Sequence, residues 1–479
     1  MKQSSPYKRP NVCFIYVDDQ AAWTIGAYGN EEAHTPNLDQ LAAEGALMEN
    51  AFCSTPVCSP ARAAMLTGRY STETGIPDFI PHPNHIAHTE AWHGVGVGLD
   101  MKTFPSVLAD NGYETALFGK WHVGDWTLDP DQRFHPTKNG YNYFFGMTGG
   151  GVSPENPEFE EDGVLKTFEG YCDEILTERA VQYLQTKAED GDTKPFMLSL
   201  NLRQPHHPWN PVPECDMAHY RDKELKLPDP DYPDLDIEHL QERMRGYMAG
   251  VSGVDRMVGQ IMDALEQNGL SENTILIFSA DHGFMMGHNG LHHKGNGLQA
   301  TRTKDKNPYV PNVSESSLNV PCLVRWPSHI QAGQRHDAML SDVDWFPTVL
   351  ELAGCELPED VTVRGSSWAP MLLGGSVDGW RDAVYSEYDM CVYAHSHLRA
   401  LRSERWKLVL DFHNPWRSAF YDMQTDDPEA VNLIAANSGP LEYQLEVKAA
   451  IREMSEKLIE IMSEKQDSFA EYWNQWESR

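Results

Sequence analysis

No stretch of this chain approaches the ~20 consecutive apolar residues of a membrane-spanning helix. Its opening residues, Met1-Lys2-Gln3-Ser4-Ser5-Pro6-Tyr7-Lys8, lack the apolar segment of a secretory signal. The expectation is a soluble chain with no membrane partner. As written it stays in the cytoplasm; if a signal segment has been removed it is periplasmic or secreted. Positive charge is scarce too. The net charge is −33 at pH 7, which argues against nucleic acid as a partner, because phosphate binding needs a basic face. The 8 cysteines, at 13, 53, 58, 172, 215, 322, 355 and 391, are scattered and form no Cys-x-x-Cys pair. They read as mostly buried thiols rather than a disulfide framework. There is no internal repeat or low-complexity tract, and nothing here sets an oligomeric state. An acidic protein that takes an anionic substrate must gather cations at one point, where water is excluded.

What the chain does have is alternation. Val12-Cys13-Phe14-Ile15-Tyr16-Val17 reads as a buried parallel strand that ends at Asp18-Asp19. Helices are expected over 36–44, closed by Gly45, over 103–111, and over 250–268. Further strands are expected over 115–118, 196–200 and 274–279, with a proline-dense ordered loop over 205–233. This pattern predicts an α/β fold, a large mostly parallel sheet flanked by helices. After about Gly374 the texture changes. Antiparallel strands over 398–412 and 419–433 and a helix over 441–463 predict a smaller C-terminal α+β domain. The division expected is 1–374 for a catalytic domain and 375–479 for the smaller one.

Two apolar strands end in acid: Asp18-Asp19 and Asp281-His282. Sites in open α/β sheets form outside the carboxyl ends of the strands. Carboxylates converging there require a compensating cation. Hard oxygen donors favour Ca²⁺ or Mg²⁺, and the His282 imidazole also admits Mn²⁺ or Zn²⁺. One divalent ion is expected, Ca²⁺ first.

Cys58 lies in Cys58-Ser59-Pro60-Ala61-Arg62, followed by Leu66-Thr67-Gly68-Arg69. Further on come Gly119-Lys120-Trp121-His122-Val123-Gly124, Pro205-His206-His207-Pro208 and Ser279-Ala280-Asp281-His282-Gly283. In this order and spacing, the chain resembles the formylglycine-dependent sulfatases, which have an alkaline-phosphatase-like fold. The likeness spans 11 to about 433 and includes Phe420-Tyr421-Asp422 and Asp427-Pro428-Glu429. Ala61 stands where Ser is commoner in the family, and His282 where many members carry Asn.

The resemblance implies that a maturase oxidises Cys58 to formylglycine. Asp18, Asp19, Asp281 and His282 would hold the metal with an oxygen of matured residue 58. Arg62 would orient the hydrated aldehyde, and Lys120 and Lys294 would bind sulfate oxygens. His122 would help deprotonate the hydrate, and His206 would protonate the departing alcohol. The segment 288–295 around Lys294 also offers three histidines (288, 292 and 293), and Pro-His-x-Pro selects His206 over His207. The expected substrate is a sulfate ester, either a small aryl sulfate or a sulfated saccharide. A rival is a phosphonate monoester or phosphodiester hydrolase of the same superfamily, which generally lacks the Asp-Asp doublet and the Gly-Lys-Trp-His motif. A rival of another class is a non-catalytic anion-binding protein. Two features stay outside this scheme. The histidines at 82, 85, 88 and 93 suggest a loop bordering the pocket, or a second metal site. His395, His397, Trp416 and Arg417 could form a sugar-binding rim.

Overall fold

In the computed structural model, residues 9–189, 194–425, 428–434 and 440–472 are described. Asp427 of the late motif lies outside them. Ten strands form one sheet in the order Gln334–Ser341, Ala46–Phe52, Cys322–Arg325, Thr274–Ala280, Asn11–Asp18, Phe196–Pro205, Glu114–Lys120, Tyr143–Met147, Glu158–Glu161, Val164–Thr167. The central strands run parallel: Asn11–Asp18 pairs with both Thr274–Ala280 and Phe196–Pro205, and the latter pairs with Glu114–Lys120. Every residue of Asn11–Asp18, Thr274–Ala280 and Phe196–Pro205 is buried. That is why Asn11–Asp18 and Thr274–Ala280 read as largely apolar runs, while Phe196–Pro205 buries Ser199, Asn201 and Arg203 between its apolar residues. In register, Val17 lies beside Ala280 and Asp18 beside Pro205. Asp18, Asp281, Lys120 and His206 therefore leave the sheet at one edge.

The two other sheets are antiparallel. Met285–Met286, Leu291–His293, Asn296–Gln299 and Tyr309–Pro311 form one, and its turn between the second and third strands carries Lys294. Ala383–Tyr388, Leu398–Ser403, Trp406–Asp411 and Ala419–Asp422 form the other, in sequence order. The helix Leu441–Glu464 covers this last sheet: Val447, Met454 and Leu458 share a buried cluster with Leu401, Leu408 and Phe420. Together they make the smaller C-terminal domain.

Two expectations shift. The helix expected from 250 begins at Ile237 and runs to Gln267, with the Asp236 side chain accepting from the His239 backbone N–H. Gly246 obscured its first turns, because glycine is a poor helix former, and Gly250 and Gly253 follow inside the expected span. They are there for close approach: a Cβ on any of them would crowd Trp209, Pro205 or Gln204. Within 419–433, expected as antiparallel strand with turns, the strand stops at Asp422. Pro428 has no N–H to give a ladder, and Glu429 sits at φ 70, outside the extended region. Among the cysteines, all 8 are free; Cys215 and Cys391 are exposed and the other six are buried.

A buried charge network ties the two parts together. Glu387 accepts hydrogen bonds from Ser71 Oγ and Thr72 N at 2.8 Å, and from Tyr385 OH and Lys465 Nζ at 2.7 Å. Burial pushes its carboxyl up, but Lys465 and Arg399 outweigh burial and hold it well below the usual carboxylate range. Breaking one side of such a pair costs about 3–5 kcal/mol. A depressed carboxyl contributes fully above its unfolded pKa of about 4.3, and the contribution fades as pH falls towards the folded value. Glu387→Gln should therefore lose about 3 kcal/mol of unfolding free energy at pH 7. The gap from the parent protein should narrow as pH drops below about 4. Urea unfolding of both proteins across that range checks it, and a gap that does not change with pH would contradict the ion-pair origin.

Candidate active site

Asp18 ends its strand, and Asp19 follows at φ 69. In an extended chain, successive side chains point to opposite faces. The left-handed turn at Asp19, a conformation that Asp tolerates better than most residues, breaks that alternation and lets both carboxylates enter one cluster. The Asp19 backbone N–H donates to Asp281 Oδ1 at 3.2 Å, stitching the two strand ends together. Cys58 is the first residue of the helix Cys58–Thr67, and its thiol is buried in the same place. Sγ lies 3.3 Å from Asp18 Oδ1 and 3.4 Å from His282 Nε2, and accepts from Lys294 Nζ at 3.1 Å.

The cations arrive from three elements. Lys120, at the end of its strand, places Nζ 2.5 Å from Asp18 Oδ2. Lys294 places Nζ 2.5 Å from Asp19 Oδ1. Its loop is pressed onto the Cys58 loop: Gly295 N donates to Pro56 O at 3.0 Å, and a Cβ on Gly295 would stand 2.7 Å from Pro56 Cγ. Arg62, one turn into the helix, donates from Nε to Asp281 Oδ2 at 2.9 Å and from Nη1 to Lys120 O at 3.2 Å. Its guanidinium lies over the Tyr16 ring, 5.2 Å from the centroid.

Burial and neighbouring charge together set the titration of this cluster. Burial raises Asp18, yet Lys120, His206, Lys294 and Arg62 hold it well below the usual carboxylate range. Burial carries its neighbour Asp19 up to about 7, with Asp18 adding to the rise against Lys294. Burial and Asp18 raise the Cys58 thiol, but Lys120 and Lys294 bring it below its ordinary value. For His282, burial alone would lower the ring, while Asp281 and Cys58 lift it to about 8.

The two histidines expected to move protons are present. His122 Nε2 lies 2.9 Å from Ile80 O, so in the tautomer that donates there, buried Nδ1 is an acceptor with no partner. Burial and Lys120 lower it well below the ordinary imidazole value. His206 is partly exposed. Its Nδ1 is 2.5 Å from His207 O, and its Nε2 lies 3.8 Å from Asp19 Oδ2. Burial lowers it too.

The residues fit a divalent cation. Ligand atoms of Asp18, Asp19, Cys58 and His282 all lie within 4.8 Å of one another. Asp19 Oδ2 is buried with no hydrogen-bond partner. His282 Nδ1 faces Gly283 O at 2.9 Å, which leaves Nε2 towards the acids. The same anionic surroundings that raise His282 would stabilise a metal ion. Asp281 does not belong to that converging group. One of its oxygens accepts from the backbone of Asp19 and His282 and the other from Arg62, so here it orders the ligand loop. This group is the one such cluster among the described residues, and none of His82, His85, His88 or His93 is in it.

The cluster opens into a pocket of about 710 Å³. His82 and His85 line it, as a bordering loop would, whereas His395, His397, Trp416 and Arg417 do not. Several lining residues were not foreseen. Tyr309 and Tyr393 stack at 4.4 Å, with Phe79 5.6 Å from Tyr393. Trp209, Arg243 and His292 form another stretch of wall. The wall is assembled from separate elements, Tyr393 coming from the C-terminal domain, and no local spacing marks it.

A family model described as "Sulfatase" matches residues 10–355, and one described as "N-sulphoglucosamine sulphohydrolase, C-terminal" matches residues 311–459. The chain is 26% identical to an N-acetylglucosamine-6-O-sulfatase of Bacteroides thetaiotaomicron, over 95% of this chain and 87% of that protein. A solved structure in complex with its substrate D-glucosamine-2-N,6-O-disulfate superposes with a TM-score of 0.79 at 24% identity, covering 96% of this chain and 99% of that one. A phosphonate monoester hydrolase of Agrobacterium radiobacter shares the fold at a TM-score of 0.69 and 22% identity, covering 94% and 96%.

The donor set makes a prediction about metal. Ca²⁺, Mg²⁺ or Mn²⁺ added to chelator-treated protein should raise unfolding free energy by about 2.7 kcal/mol at a hundredfold excess over Kd. Asp19→Asn should remove most of that gain. A melting midpoint that moves with none of these ions would show that the cluster is not a metal site.

Proposed function

The chain belongs to the sulfatase family of the alkaline-phosphatase-like superfamily and is a sulfuric-ester hydrolase; from that premise we propose that it removes sulfate from a sulfated carbohydrate, using a formylglycine made from Cys58 by a maturase and one divalent metal. Ca²⁺ is the favoured ion, with Mg²⁺ or Mn²⁺ as alternatives. The observation that carries this reading is the packing of three carboxylates and three fixed cations around residue 58, at the base of a pocket with aromatic walls. Aromatic faces suit sugar rings better than a bare inorganic anion.

Charge balance supports an anionic substrate. Asp18, Asp19 and Asp281 are matched by Lys120, Lys294 and Arg62. A bound divalent ion would leave the site with excess positive charge, inside a protein of net charge −33. Asp18, Asp19 and His282 would hold that ion, with an oxygen of matured residue 58 and with Asp281 at the edge of the set. When bound, the metal supplies Lewis-acid activation of that oxygen. Formylglycine supplies, as its hydrate, one hydroxyl to attack sulfur and a second whose deprotonation frees the sulfate; a thiol has no second hydroxyl.

The chain's own residues do the rest. Arg62 fixes Asp281 and the start of the Cys58 helix, and so the orientation of residue 58. Lys120 and Lys294, with Nζ atoms between the acids and the pocket, bind sulfate oxygens and stabilise charge as it builds on them. His122 Nδ1, the unpartnered acceptor, takes the proton from the residue 58 side. His206 gives a proton to the departing alcohol oxygen. It is neutral in this arrangement, and an arriving sulfate anion raises its proton affinity. We take residues 1–374 as the catalytic domain and 375–479 as the smaller domain, which lends Tyr393 to the substrate wall.

Two measurements test the reading. Matured enzyme is assayed side by side on a sulfated hexosamine, an aryl sulfate, a phosphonate monoester and a phosphodiester, with sulfate release expected to be fastest on the sugar. Preferential turnover of a phosphorus ester would overturn it. Lys120→Ala, with its fold verified by circular dichroism in the presence of divalent ion, should lower kcat by about 100-fold or more. A rate near that of the parent would remove Lys120 from the reaction.

A further inference from the structure

We infer that Arg243 forms a second oxyanion subsite in the pocket wall, selecting substrates that carry another anionic group beside the sulfate that is cleaved. The inference deepens the sulfated-carbohydrate reading and rests on it. Among the described residues lining the pocket, Arg243 is the one Lys or Arg besides Lys120 and Lys294. It projects from the second turn of the helix Ile237–Gln267, half-buried, and makes no ion pair among the described residues.

Its partners orient it without neutralising it. Nε donates to His239 Nε2 at 2.7 Å, Nη1 lies 3.4 Å from His292 Nδ1, and the guanidinium stands 5.5 Å from the centroid of Trp209. The Trp209 ring is itself anchored by its Nε1–H donating to Pro205 O at 2.6 Å. Burial, with Arg243 beside it, holds His292 down to about 3, so this imidazole is an uncharged acceptor. Burial likewise holds His207 down to about 4. Nη2 makes no hydrogen bond to the described residues. Glu242 also lines the pocket but is exposed, where solvent screens its charge.

A guanidinium partly withdrawn from water without a counter-ion carries a desolvation cost that an anion offsets. Its planar fork matches sulfate or carboxylate oxygens two at a time. The wall also joins the reacting centre directly, because His292 is two residues before Lys294, whose Nζ touches residue 58. The segment that carries Lys294 thus also carries His292, the partner that orients Arg243. The ligand chemistry is a second oxyanion on the saccharide: a further sulfate on the same sugar or a hexuronate carboxylate on its neighbour.

The experiment compares kcat and KM of the matured parent enzyme, Arg243→Gln and Arg243→Lys on three substrates. These are a monosulfated hexosamine, a disulfated hexosamine, and a monosulfated hexosamine linked to a hexuronate. The expected result is a KM raised about tenfold by R243Q on whichever doubly anionic substrate the subsite reads, about 1.4 kcal/mol of binding. kcat should stay near the parent value, KM for the monosulfated sugar should be unchanged, and R243K should recover part of the loss. Which of the two doubly anionic sugars responds identifies the source of the oxyanion. If all three substrates turn over and R243Q treats them alike, the subsite is overturned and the sulfatase reading stands. If the parent enzyme hydrolyses none of the three, while the aryl sulfate is cleaved, the carbohydrate reading falls and the subsite falls with it.

Discussion

Three carboxylates buried at the ends of adjacent parallel strands cannot stand without positive charge beside them. An isolated buried carboxylate is expensive enough that it would be neutralised by a proton. Here Asp18, Asp19 and Asp281 are each met by a fixed cation at 2.5 to 2.9 Å. Nearly everything else near the site follows from meeting that demand. The turn at Asp19 aims two consecutive acids into one place. The Gly295 contact with Pro56 seats Lys294 over residue 58. Arg62 is tied at once to Asp281, to the Lys120 carbonyl and to the Tyr16 ring. Removing any one of these groups leaves a buried charge uncompensated, so the cluster is a unit rather than a sum of pairs.

That unit also explains how an acidic protein can process an anion. The sheet edge concentrates the cations in a volume from which water is excluded, where their fields are weakly screened. The pocket beyond is apolar and aromatic in one stretch, with neutral imidazoles and Arg243 in another. Catalytic charge and substrate shape are thus supplied by different parts of the chain: the strand ends provide the first, and loops together with the C-terminal domain provide the second. Glu387, accepting from Ser71 and Thr72, ties that domain to the rest of the chain, and Tyr393 of the same domain stacks on Tyr309 at the pocket.

Much of this was legible in the sequence because it is local. A buried parallel strand is a run of apolar residues, and an acid that ends such a run is conspicuous. Asp18, Asp19 and Asp281 were therefore picked out at strand ends, and Cys58, Arg62, Lys120 and His206 by motifs a few residues long. The structure then divides what the motifs grouped. Asp281 lies beside the converging metal-type ligands with both oxygens already in use, a distinction that depends on side-chain partners and not on spacing. The start of the long helix was misplaced because Gly246, which serves close packing against Trp209, looks like a helix breaker. Within 419–433 the strand is short, ending at Asp422, because propensity does not anticipate Glu429 turning inward to pair with Lys407. Arg243, Tyr309 and Tyr393 had no signal at all: they meet only through contacts between distant elements.

The central claim concerns the chemical state and work of residue 58. The most direct measurement is peptide mass spectrometry of the Cys58 segment after co-expression with a maturase, with the sulfate-releasing rate followed in the same preparations. The prediction is that the aldehyde form appears at residue 58 and that the rate rises in proportion to its fraction. A segment that remains entirely thiol while the protein hydrolyses sulfate esters at full rate, or one that is fully converted yet silent on every sulfate ester, would contradict it.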